Sequence, residues 1–188
     1  MRSGDLISFK HRLALPTDVQ GKTFEVESIA AYEYEDGVYP QLTLAGETGD
    51  RLFLLFRDKD PRKLTLARMV PKRDVVRLFG ENEFSTLWDE GFADLDRVEK
   101  MPEYGGWTAL RYSQTRNSAE GYFHDKDCRT VQIGDDEGEE FRAHECEDPS
   151  GRFGLCVEVY GDGTTEVTAE VFVDADVIDA MWPGEETS

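Results

Sequence analysis

Apolar and polar residues alternate with a period of two over most of this chain, and each alternating run is bounded by residues suited to turns. In the first third the pattern predicts strands at Asp5 to Lys10, Thr23 to Glu35, Val38 to Ala45 and Arg51 to Arg57. Asp36-Gly37 supplies the positive φ of a tight hairpin turn, and Gly46 to Asp50 is a glycine-bracketed loop between apolar runs. Phe24, Val26 and Ser28 keep phase until Ile29 breaks it, which predicts a bulge near Ser28. Leu52 to Phe56 is apolar on both faces, as a strand covered on both sides requires. Lys63 to Val70 reads as a further strand stopped by Pro71.

The pattern then changes. Val75, Leu78 and Phe79, followed by Phe84, Leu87 and Trp88, predict one or two short amphipathic helices between Asp74 and Glu90, interrupted near Gly80. Met101 to Trp107, with Pro102 and Gly105-Gly106, is the expected joint between lobes. Tyr104 and Trp107 flank that glycine pair as core anchors. Beyond it, strands are predicted at Thr108 to Ser113, Gly121 to His124, Cys128 to Ile133, Glu140 to Glu145, Phe153 to Tyr160 and Thr165 to Val173. Asp174 to Met181 is expected to form a small helix, capped by Asp174 or Asp176 and ended by Pro183-Gly184. Trp88 and Trp182 then lie on helices that pack against sheet.

Together these elements predict a mainly β fold (α+β by count): an antiparallel curved sheet, sandwich or partly open barrel, with a short helical insertion and a small C-terminal helix. The length of 188 residues fits one two-lobed domain, with lobes at 1–103 and 104–188.

Composition narrows the function classes. A net charge of −19 disfavours nucleic acid and anionic lipid as partners. The N-terminal residues lack an export signal, and no run is long and apolar enough for a membrane span, so the expectation is a cytoplasmic protein without membrane insertion. Three cysteines without CxxC spacing agree with a reducing compartment. No GxSxG elbow, Walker loop, GxGxxG fingerprint or HExxH helix is present, so no catalytic residue is nominated and no cofactor is implied.

The charge is unevenly spread. From Arg51 to Arg77 nine bases face three acids, whereas nine acids and no base follow Arg152. Asp135 to Asp148 adds eight acids against Arg142 alone. The basic window nominates Arg57, Lys59, Arg62, Lys63, Arg68, Lys72 and Arg73 as partner-binding residues, unless they neutralise the acidic half within the molecule. Ligand-type residues gather in His124, Asp127 and Cys128, and again in His144 and Cys146. On a strand His144 and Cys146 share a face, and pairing across Gly134 to Gly138 brings Cys128 near them in one of two registers. Cysteine, histidine and carboxylate can bind zinc, although the spacing follows no standard zinc pattern.

The segments Gly4-Asp5, Phe24-Glu25-Val26, Tyr32-Glu33-Tyr34, Tyr39-Pro40-Gln41-Leu42 and Arg51-Leu52-Phe53-Leu54 resemble an uncharacterised bacterial β-rich family of unknown function. The resemblance covers the first third, carries no catalytic residue, and implies an accessory protein of bacterial origin. The resulting expectation is a non-enzymatic accessory or interaction module of a bacterial or archaeal cell, binding a protein partner or itself. An enzyme or metal-binding protein using the His/Cys/Asp cluster, and a DNA-mimicking inhibitor, are the alternatives.

Overall fold

The computed structural model describes residues 1–56, 62–131, 133–134 and 138–184. Over these residues the chain is mainly antiparallel β, with two short helices, as the alternation predicts. It divides into two compact units, each assembled from separated stretches of sequence.

The first unit draws on Met1–Leu66, Phe123–Gly138 and Val173–Ser188. Its strands are β1 (Leu6–Phe9), β2 (Thr23–Tyr34), β3 (Gly37–Ala45), β4 (Arg51–Leu55) and the start of β5 (Lys63–Met69), joined by β11 (Ile178–Trp182). The hydrogen-bonded order is β11-β1-β2-β3-β4-β5. Alternation is visible in the burial: Phe24 and Val26 are buried while Thr23, Glu25 and Glu27 are exposed. The register then slips between Val26 and Ser28, which is the bulge that the broken phase predicts. Leu52, Leu54 and Leu55 are all buried in β4, consistent with cover on both faces.

The second unit draws on Ala67–Tyr122 and Glu139–Phe172. It holds β6 (Asp94–Asp96), most of β7 (Arg111–His124), β8 (Glu139–Glu147), β9 (Phe153–Tyr160) and most of β10 (Thr165–Asp174), in the order β10-β9-β8-β7-β6. The helical insertion belongs here. Pro71 caps α1 (Lys72–Phe79) through its carbonyl, which accepts the amides of Asp74 and Val75. Gly80, at φ 77°, ends that helix and starts α2 (Glu81–Ser85). Val75, Leu78 and Phe79 form the buried stripe, with Phe79 edge-on to Tyr112 at 6.0 Å. Tyr104 and Trp107 are buried as core anchors, and the stretch Met101–Trp107 lies inside this unit.

Three expectations change. Asp174 to Met181 does not form a helix: one 3₁₀ turn at Ala175–Val177 leads into β11, because Ile178 to Trp182 finds hydrogen-bond partners on β1. Trp182 therefore stands on an edge strand and is 46% exposed. Thr108 to Ser113 and Gly121 to His124 are parts of one region, since β7 runs unbroken from Arg111 to His124 and absorbs a left-handed residue, Ser118 at φ 58°. The described residues of Cys128 to Ile133 form no strand.

Candidate functional site

β8 leaves the pairing expected for it. Its register is set by β9, where His144 faces Val157 and Cys146 faces Leu155, and no hairpin joins it to Cys128. His124, Asp127 and Cys128 belong to the first unit, His144 and Cys146 to the second. Among the described residues no three His, Cys, Asp or Glu side chains gather closely enough to hold a metal ion. Local chemistry explains why each member is otherwise engaged.

His144 and Cys146 are buried in the second unit, as their shared face predicts. The His144 ring lies 5.4 Å from Trp88, and its Nδ1 is 3.4 Å from Gln114 Nε2. That amide also donates to the Leu87 carbonyl at 3.1 Å. Burial depresses the His144 pKa, so the ring sits as a neutral core group. Burial pushes the Cys146 thiol up to about 12, which removes the thiolate that a nucleophile or zinc ligand needs.

In the first unit, Asp127 is held by Arg129, whose guanidinium lies 2.6 Å from its carboxylate and lowers its pKa. Arg129 also donates to the Met1 carbonyl. Cys128 is part-buried and its Sγ lies 3.5 Å from the Lys126 carbonyl.

His124 has the most distinctive surroundings. It closes β7, its side chain is 1% exposed, and Nε2 is 2.8 Å from the Glu33 carboxylate of β2. Beside them Tyr32 packs on Phe123 at 5.2 Å and stacks with Tyr34 at 6.4 Å. Gly138, at φ 110°, lies so close that a Cβ there would stand 2.6 Å from His124 Cε1. His124 Nδ1 is buried without a hydrogen-bond partner. Phe123, His124, Asp125, Lys126 and Gly138 border an open depression of about 250 Å³. A carboxylate accepts from Nε2, so the pairing fixes the ring, but the buried Nδ1 is covered and reaches no solvent. The geometry is that of a structural clamp.

No family model, curated protein or solved structure matches this chain.

Among the described residues, no helix is long and apolar enough to cross a membrane. The basic window largely meets partners inside the chain. In the first unit Lys63 pairs with Asp174, and Arg51 with Glu27, both at 2.6 Å. In the second, Arg73 approaches Asp74 at 3.4 Å and Arg77 pairs with Glu99. Arg68 donates to the Glu103 carbonyl and lies 5.2 Å above the Tyr104 ring. Lys72 is exposed at the start of α1, and Arg62 accepts the Ala175 amide through its carbonyl. Arg57 and Lys59 lie outside the described residues. Of the five described nominees, Arg62 and Lys63 belong to the first unit and Arg68, Lys72 and Arg73 to the second, and several are already in contact with acidic or carbonyl oxygens.

Sequence reasoning missed β11, the outermost strand among the described residues, which carries Met181 at 57% and Trp182 at 46% exposure. The signal was present in the branched Val177-Ile178 pair and the bulky Met181-Trp182 pair, which suit a strand better than a helix.

Proposed function

We propose that this chain is a non-enzymatic acidic accessory module of a bacterial or archaeal cell, acting in the cytoplasm and binding a protein partner that carries net positive charge. One observation supports this reading most: described cations of the basic window meet oxygens within their own chain, whereas the sequence holds 40 acids against 21 bases. The attraction left over is therefore for cations. This moves the binding role from the basic window to the acidic surplus, and favours a basic partner over head-to-tail self-association. The bacterial family resemblance of the first third agrees with an accessory role. Among the described residues no three His, Cys, Asp or Glu side chains gather, which gives the metal-binding alternative no support.

The test is affinity capture at two ionic strengths, with sedimentation analysis of the isolated complex. A stoichiometric basic partner retained at about 0.05 M salt and lost at about 0.5 M is the expected result, because the screening length of exposed charges falls from roughly 14 Å to roughly 4 Å between them. A partner whose affinity is the same at both concentrations would overturn the electrostatic reading.

A further inference from the structure

We propose that the outer rim of β11 is the docking edge for an extended basic segment of the partner, which adds to the sheet as one more strand. This rests on the preceding reading of a basic partner and names the surface that receives it.

The edge follows from the hydrogen-bond phase. Lys10 donates its amide to the Val177 carbonyl, while the Phe9 amide turns the other way to Lys22 on the β2 side. Antiparallel residues alternate between facing one neighbour and facing the other. Ser8 and Leu6 therefore face β11, where their register partners are Ala180 and Trp182. Met181, between those two, directs its backbone N–H and C=O away from β1, toward the side on which the sheet order ends among the described residues. Asp179 falls in the register slip opposite Ser8 and Phe9, and is exposed.

Native edge strands are commonly blunted by lysine or proline. Ile178 to Trp182 contains neither, and Pro183 comes only after the last paired residue. Side chains on both faces are suited to a guest strand. Trp182 lies beside Leu6, which is 37% exposed, making an apolar step on one face, and Met181 projects from the other. The charge selects the guest. Asp176 and Asp179, both exposed, precede or lie on β11, and no base occurs in the sequence after Arg152. A segment alternating lysine or arginine with apolar residues matches this edge, with backbone pairing for affinity and an indole face for its cations.

The probe is a peptide of alternating lysine and valine, compared with a peptide of equal charge in which prolines prevent strand pairing. Binding at least about tenfold tighter for the first is expected, and Met181→Pro, which removes the outward N–H but none facing β1, should abolish that preference. Met181→Ala keeps the N–H and should retain most of it. Amide exchange on the unaltered protein provides a readout independent of any folding defect: the Met181 amide should become protected when the alternating peptide binds. Salt-sensitive binding of both peptides with equal affinity, or an unprotected Met181 amide, overturns the edge while leaving the electrostatic reading intact. Failure of both peptides to bind at low salt overturns both readings.

Discussion

Glu33 Oε2 meets His124 Nε2 at 2.8 Å across 91 residues of sequence, and this contact fastens the end of β7 to β2 within the first unit. The imidazole is covered, whereas the carboxylate is partly open, at 37% exposure. The pair therefore acts mainly by satisfying a buried ring nitrogen. An exposed ion pair would contribute little by itself.

Glu33→Ala leaves both ring nitrogens of His124 without partners and should cost about 1–3 kcal/mol in urea unfolding. Glu33→Gln, which can still accept through its amide oxygen, should cost less. The exposed neighbour Glu35→Ala should change stability by no more than about 0.5 kcal/mol. Equal effects of Glu33→Ala and Glu35→Ala would show that the contact does not fasten β7.

Gly138→Ala tests the cover over the same ring. A methyl group there meets His124 and also forces a side chain onto a φ of 110°, so a loss of about 1–3 kcal/mol is expected. Gly163, at φ 88°, has nothing within 4 Å of its Cβ position. Alanine there incurs the conformational cost alone, and thermal unfolding should rank Gly138→Ala as the more damaging.

His144 makes stability fall on the acidic side of neutrality. Its folded pKa is depressed by burial, so the unfolded chain takes up the proton first. The stabilisation is complete above the unfolded value of about 6.5 and fades as the pH falls through the folded one. Unfolding free energy should begin to decline as the pH falls below about 6.5, where the unfolded chain starts to take up the proton and ordinary carboxylates are still ionised. His144→Gln should flatten that slope, and an unchanged slope would assign the acid sensitivity elsewhere.

The alkaline side has the opposite origin. Burial, aided by the hydrogen bond that its hydroxyl donates to Asp74 at 3.0 Å, pushes Tyr104 up to about 12. Cys146 rises to about 12 through burial. Both groups stay neutral in the folded chain at pH values where the unfolded chain ionises. Their stabilising effect is full below the unfolded values, 10.0 for tyrosine and 9.0 for the thiol, and is lost as the pH climbs toward 12. Tyrosinate absorbance from the buried rings should rise together with the loss of far-ultraviolet circular dichroism. At mild pH a thiol reagent should label part-buried Cys128 ahead of Cys146 and Cys156, and all three only after denaturation.

Local rules reached far into this fold. Alternation located β9 at Phe153 to Tyr160, broken phase located the bulge at Ser28, and Gly80 located the division between α1 and α2. The failures share one cause, which is pairing between residues distant in sequence. Asp174 to Met181 has helix-compatible caps, but Ser8 decides its conformation by pairing with Ala180. The polar middle of β7, Gln114 to Glu120, hides its continuity because alternation there carries little hydrophobic contrast. Three-residue β6 is too short to show a period. At the candidate site, the common face of His144 and Cys146 was legible, while the pairing of β8 with β9 in place of the Cys128 segment was not. The Glu33–His124 clamp left no local mark at all.

The β1–β11 ladder also imposes a timetable. The Ser8 hydroxyl contacts the Ala180 carbonyl across a sequence separation of 172 residues. During synthesis β1 must keep one side of its ladder unsatisfied until the chain has been made through β11. Such distant closure favours slow completion of the native state, and makes the interval before β11 arrives the period in which a chaperone has most to shield.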